Sequence, residues 1–424
     1  MGFKLNNKAY FENHGVNVMA FDDKYPAGHQ SGISVIMNGR RIATNGDLRF
    51  EQTPGQWQPV PKQDDRKVDQ EGNSITTTLS YPDINAHLNG FNPIIYPDFE
   101  FSYEVVARGL EDGVEIVVSL DRPVPQEFLG KLCFNLELYP GDLFGKPWMM
   151  DDATGIFPRQ ANGPTKAQPA NYDHSNKIKP LPHALANKEK LAGYNKGYNP
   201  IIADDLIGAP MAVGHSFTLR PDNSLYRMTI ISETAELRLY DGRMNHNNGW
   251  FAVSSEIPAN TEKEAIKWII KPYVDTSWMY TPVIQTSQVG YHPCQPKKAV
   301  IELDERDKNR FPVSLEKLTP TGYKEVKKIQ PEEWGIFLRY QYLICDFSDV
   351  TEEGMYRICY GEQVSSDFGI GSGIYDVGVW QPVVEYFLPV QMCHMRVNEK
   401  YRVWHGLCHC DDARMAPVNY NHFD

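Results

Sequence analysis

Near the end of the 424-residue sequence, the stretch "VWHGLCHCDDARMAPVNYNHFD" (403–424) sets Cys408, His409, Cys410, Asp411 and Asp412 side by side. Cys393 lies 15 residues before Cys408. Thiolate and imidazole are ligands of a tetrahedral structural zinc, and one adjacent pair plus one remote ligand suits such a site. Left unligated, the same residues would form a packing cluster between a helix and its following loop, with His394, His405 and His409 as ordinary polar side chains. Asp411 and Asp412 invite reading as a pair of carboxyl groups for general acid and base work. Neighbours on one short loop would not flank a substrate from two sides, so this pair reads as a solvated acidic loop.

A second kind of chemistry is suggested by aromatic residues set among polar turn residues. Trp57 stands in "GQWQPVP", Trp148 with Phe157 and Arg159 in "GKPWMMDDATGIFPRQ", and Trp250 with His246 in "DGRMNHNNGW". Aromatic faces flanked by amides and carboxylates hold sugar rings, which makes Trp57, Trp148 and Trp250 candidate carbohydrate contacts. The same side chains also fill β-sandwich cores. Asp151-Asp152 and Asp204-Asp205 could place carboxylates on calcium, but no EF-hand spacing accompanies them and surface charge explains them. There is no phosphate loop, nucleophile elbow or dinucleotide fingerprint.

These residues need elements to position them, and most of the sequence reads as β-structure. Over 1–280, "SGISVIMNGRRIATNG" predicts a hairpin about Asn38-Gly39. "FEFSYEVVARGLEDGVEIVVSLDRP" predicts strands at 99–107 and 113–120. Further alternating runs indicate one large β-sandwich. A polar, Pro- and Asn-rich insertion at 151–210, with a short helix near 183–191, interrupts it. Residues 281–371 carry five or more strands with turns every 8–15 residues, the rhythm of an immunoglobulin-like sandwich. From 372 to 424 the period becomes helical, with Pro382 and Pro389 inside the pattern. One helix and a loop cannot bury a core alone, so this stretch reads as the opening of a third, helical domain.

Composition narrows the partners. A net charge of −12 argues against nucleic-acid binding, which needs a basic face. No apolar run approaches the ~18 residues of a membrane span. "MGFKLNNKAYFENHG" lacks an apolar h-region. Taken as a native start it points to the cytoplasm, and taken as a trimmed start it leaves a periplasmic or secreted location open. Seven cysteines leave at least one unpaired within the chain, and Cys133, Cys294, Cys345 and Cys359 read as small buried hydrophobes.

Three stretches taken in order resemble glycoside hydrolase family 9. They are Gln288-Val289-Gly290-Tyr291; then Asp346-Phe347-Ser348 ahead of Gly354-x-Tyr356; then Ile374-Tyr375 leading to Tyr386-Phe387 and Gln391-x-Cys393. The resemblance implies an immunoglobulin-like module followed by the truncated start of an (α/α)6 barrel. The preceding 280 residues look like an extra β-sandwich found ahead of such enzymes in some bacteria. The implied activity is polysaccharide degradation by inversion, on β-linked glucan or glucosaminide oligosaccharides. The implied partners are such a glycan and the chain's own C-terminal catalytic domain. The family's base sits in a Gly-Trp-His-Asp-Ala-Gly-Asp stretch that does not occur here, and its acid is a Glu far downstream. No catalytic residue is therefore assigned, and the chain is expected to be silent alone. A non-catalytic carbohydrate-binding or structural module is the alternative. Some members carry a structural zinc. The resemblance assigns Cys393, Cys408 and His409 as three ligands and places the fourth beyond residue 424, with Cys410 and His422 as local substitutes.

Overall fold

The computed structural model describes residues 2–22, 32–50, 61–83, 99–161, 163–167, 206–244, 250–337, 340–376 and 378–384. Almost every element among them is a strand, and the chain divides into two compact units, one ending at Trp278 and the next beginning at Met279. The Cys393, Cys408 and His409 cluster, Trp57, and the 183–191 segment lie outside the described residues. Of the stretch read as helical, residues 372–376 and 378–384 are described: 372–376 are turn, 378–380 are bend, and only 381–384 are helical, with Pro382 in the first turn, where a missing N–H costs nothing.

The first unit is built from two nine-stranded sheets. Sheet one runs edge to edge through Lys4–Leu5, Phe11–Asn13, Val16–Ala20, Ile33–Met37, Arg40–Phe50, Leu132–Leu138, Phe251–Glu256, Leu237–Asp241 and Ala212–Gly214. Sheet two runs through Ala153–Ile156, Pro147–Met150, Ser216–Leu219, Met228–Ser232, Ile266–Pro272, Val114–Leu120, Phe101–Gly109, Ser74–Tyr81 and Lys62–Asp69. Their alternation sets one face of each inward: Leu132, Phe134, Leu136 and Leu138 from one sheet, Val114, Ile116, Val118 and Leu120 from the other, all in one core. The two sheets face each other directly. Trp268 of sheet two stands edge-on to Phe134 of sheet one at 4.9 Å, and its Nε1 donates to Ser255 Oγ at 3.0 Å. Tyr103 OH donates to Asp47 Oδ1 at 2.8 Å. Burial, then the Asp47 carboxylate, hold that phenol's pKa well above its ordinary value, so it stays a donor. The predicted hairpin forms between Ile33–Met37 and Arg40–Phe50. Asn38 and Gly39 take φ of +51° and +79°, as the mirror-image turn of a twisted hairpin requires.

The second unit pairs a four-stranded sheet with a five-stranded one. The first contains Val283–Gln285, Lys298–Asp304, Tyr340–Asp346 and Glu332–Phe337. The second contains Gly322–Ile329, Val313–Thr319 and Gly354–Tyr360, with Gln363–Val364 and Phe368–Ile370 beside the last. Its own core includes Ile301, Leu303, Leu315, Leu343, Phe347, Ile358 and Phe368. Tyr356 OH reaches back to the carbonyl of Glu352 at 2.7 Å, the tyrosine corner of an immunoglobulin-like sandwich.

Candidate functional site

The motif pieces singled out in the second unit converge on Tyr291. Its ring stands edge-on to Phe347 at 5.2 Å and to Phe368 at 5.3 Å. Its hydroxyl donates to the Lys298 carbonyl at 2.7 Å and accepts the Ser287 N–H at 2.9 Å. The glycine before it has φ +104°, and a Cβ there would lie 2.5 Å from the Gly369 carbonyl oxygen. Glycine is thus required both for conformation and for room. Asp346 caps the N–H of Ser348, whose hydroxyl accepts from the N–H of Lys297. Tyr375 OH donates to Gln295 Oε1 at 2.8 Å and ties the 371–376 segment to the turn after Tyr291. The spacing of these residues is therefore structural: they build one end of this sandwich and carry no reactive group.

Of the aromatic candidates in the first unit, Trp148 is 7 % exposed, belongs to the core, and lies over Gly155, where a Cβ would meet its ring at 2.2 Å. The packing role weighed for it in the sequence is the one the structure gives it. Trp250 is half-buried and stands edge-on to Tyr139 at 4.7 Å. Tyr139 follows the strand Leu132–Leu138, and Trp250 precedes its partner Phe251–Glu256, in which Leu138 faces Phe251. The pair therefore continues the ladder by one step.

Below that pair, the outward face of sheet one is unusual for a surface. Strand register brings Thr44, Glu137, Ala252 and Tyr240 into one row, Asn135, Ser254 and Arg238 into the next, and Arg49, Cys133 and Glu256 into a third. Glu137 is 3 % exposed, and Asn135 and Ser254 are 6 % each. Glu137 accepts from Asn45 Nδ2 and from Arg49 NH1, both at 2.6 Å. Arg238 is ion-paired with Glu256. A cleft of about 460 Å³ opens at that end, with Arg238, Glu256, His215 and Thr234 in its walls. The sequence showed these strands but not that their polar positions stack; the signal was the alternation Cys133, Asn135, Glu137 within "LCFNLEL".

One hub supports this region. Arg243 binds the fully buried Asp241 carboxylate through Nε at 2.8 Å and NH2 at 2.9 Å. It also donates to the carbonyls of Pro158 and Arg159 and lies 4.9 Å over both Phe144 and Phe251. The "GIFPRQ" and "DGRM" stretches are thereby joined. Asp151 accepts from the N–H groups of His215 and Ser216, a loop tie. Among the described residues no group of three or more His, Cys, Asp or Glu could hold a metal, and no helix is long and apolar enough to cross a membrane.

The second unit is by its topology an immunoglobulin-like sandwich. Residues 280–365 match the family model described as the cellulase N-terminal ig-like domain. Over this stretch the chain is similar to the immunoglobulin-like domain found at the N-terminus of cellulases. Similar solved structures include a metagenome-derived glycoside hydrolase family 9 endoglucanase, 24% identical, covering 30% of this chain and 24% of that one, with a TM-score of 0.25. Another is a Bacteroides ovatus GH9 protein, 19% identical, covering 29% and 22% respectively, with a TM-score of 0.22. The chain thus spans under a quarter of either solved chain. Comparison with curated proteins found no match.

Proposed function

We propose that the chain is the N-terminal portion of an inverting glycoside hydrolase acting on β-linked glucan or glucosaminide oligosaccharides. The observation that carries this reading is the match of residues 280–365 to the cellulase-type immunoglobulin-like domain, with Gly290 and Tyr291 at one end of the sandwich. In such a reaction one carboxylate takes a proton from water while a carboxylic acid protonates the leaving oxygen. Asp411 and Asp412 do not fill these roles, and the 424-residue chain is silent alone. Its catalytic partner is its own C-terminal domain.

Reducing-sugar release from cello- and chito-oligosaccharides tests this. The chain extended through a following catalytic domain should release sugar with inverted anomeric configuration, while residues 1–424 alone release none. Turnover by the short chain, or retention by the long one, would overturn the reading. Within the same proposal Cys393, Cys408 and His409 hold a structural zinc whose fourth ligand lies beyond residue 424. Zinc content of the extended protein should fall to background in Cys408→Ser, and no zinc in either protein would remove the metal.

A further inference from the structure

We propose that a cleft at one end of the first unit binds a sugar that carries a carboxylate, with Arg227 as the group that recognises it. The cleft holds about 800 Å³, within the range of small-molecule sites. One wall is the outward face of sheet two. Met228 pairs with Pro272 in the ladder and both are buried, so alternation turns Arg227 and Tyr273 outward, side by side. The Tyr273 N–H donates to the Arg227 carbonyl at 2.8 Å and fixes that placement. The other wall is the turn at Asn13 and His14. His14 Nε2 donates to the Trp278 carbonyl at 2.9 Å, and Gly15 leaves room for the Trp278 ring, which a Cβ would meet at 2.6 Å. The walls are open to solvent: Tyr273 is 43 % exposed, and Glu111, Asp112 and Thr276 are exposed as well.

Arg227 is the group in this cleft without an internal task. Its guanidinium lies 4.4 Å over the Tyr273 ring. Among the described residues no hydrogen bond or ion pair engages that guanidinium. A half-buried guanidinium is partly stripped of water, and its planar fork of N–H groups fits a carboxylate through two parallel hydrogen bonds. The lysine of the lining, Lys271, is already taken by Asp112 at 2.8 Å.

The rest of the lining narrows the ligand. An unpaired guanidinium beside the carboxylates of Glu111 and Asp112 suits a monoanion. A phosphate dianion would face both acids with too little positive charge to offset them. Tyr273 and Val274 offer apolar surface to a ring face, while Asn13 and Thr276 offer amide and hydroxyl groups to ring hydroxyls. A uronate meets all three demands in one body. The inference does not rest on the hydrolase reading, whose failure would show in sugar release and not in binding at this cleft.

The test is calorimetric titration of the 424-residue chain at pH 7 with cellobiouronate, cellobiose, glucose 6-phosphate and N-acetyl-diglycine. Cellobiose lacks only the carboxylate, and the acetylated dipeptide carries a carboxylate on a peptide instead of a sugar. Cellobiouronate should bind, and each of the other three at least tenfold more weakly. Arg227→Gln should weaken cellobiouronate at least tenfold with the melting temperature held, since the substitution breaks no internal hydrogen bond or ion pair of the described residues. A flat titration with cellobiouronate would overturn the proposal. So would a preference under tenfold over any of the other three, or full affinity in Arg227→Gln.

Discussion

Replacing Arg243 by methionine keeps most of the aliphatic stem and deletes the guanidinium. The partner left behind is the Asp241 carboxylate, which is wholly buried and receives two of that guanidinium's hydrogen bonds. Removing one member of a buried pair leaves an uncompensated charge and costs about 3–5 kcal/mol. The carbonyls of Pro158 and Arg159 also lose a donor, and two aromatic faces lose their cation. For a unit of this size, each kcal/mol lowers the melting temperature by about 2–4 °C, so the drop should be roughly 10 °C or more. Differential scanning calorimetry of the whole chain reads it as movement of the transition belonging to residues 1–278. Adding Asp241→Asn to Arg243→Met removes the stranded charge and should restore a good part of the loss. A loss below about 1 kcal/mol, or a double variant no better than the single, would refute the claim that a buried ion pair organises this end of the sandwich.

Gly290→Ala should destabilise the second unit by about 1–3 kcal/mol, since φ +104° and a Cβ 2.5 Å from a carbonyl oxygen both oppose it; an unshifted second-unit transition would contradict this. Asp304 is opposed by its burial, but the Arg306 guanidinium and the N–H groups of Tyr280 and Arg306 more than compensate and hold its pKa below the usual carboxylate value. Its stabilising contribution is therefore complete above the unfolded value of about 4 and is lost as pH falls through the lower folded value. Asp304→Asn should be less stable than wild type at pH 7, with the gap closing below about pH 4 in pH-resolved melting curves. Burial pushes the Cys345 thiol up to about 12, so iodoacetamide at pH 8 should modify exposed Cys294 and leave Cys345 unmodified until the unit unfolds, as mapped by peptide mass spectrometry.

The mainly β architecture was legible because alternation is a local property. "FEFSYEVV" and "GVEIVVSL" announce one buried face each, and Asn38-Gly39 announces its own turn. The family-like residues were legible for a similar reason, since Gly290 and Tyr291 answer to a backbone constraint that leaves a recognisable pattern. Sheet order was not legible. That Arg40–Phe50 pairs with Leu132–Leu138, and that strand with Phe251–Glu256, depends on contacts about 90 to 120 residues apart. With that order hidden, the polar positions of three strands could not be seen to form one face. Trp148 and Trp250 look alike in sequence, each beside polar turn residues. The parity of their strands separates them, sending one into the core and setting the other at the end of the outward face. The Cys393, Cys408 and His409 cluster depends on residues outside those described.

The order of strands also bears on how the molecule is made. In sheet two, Ile266–Pro272 sits between Val114–Leu120 and Met228–Ser232, so the two halves of that sheet have no common member until this strand exists. About 150 residues of chain separate it from Val114–Leu120, and at ribosomal rates of about 5–20 residues per second they take roughly 7–30 s to synthesise. Throughout that interval the nascent chain carries open strand edges and one uncovered apolar face, the surfaces through which unfinished sheets pair with the wrong partner. The second unit has no such wait, since all its strands fall between residues 283 and 370. Co-expressing a chaperone that holds unfinished chains should therefore raise the soluble yield of the whole chain far more than that of residues 279–376 made alone.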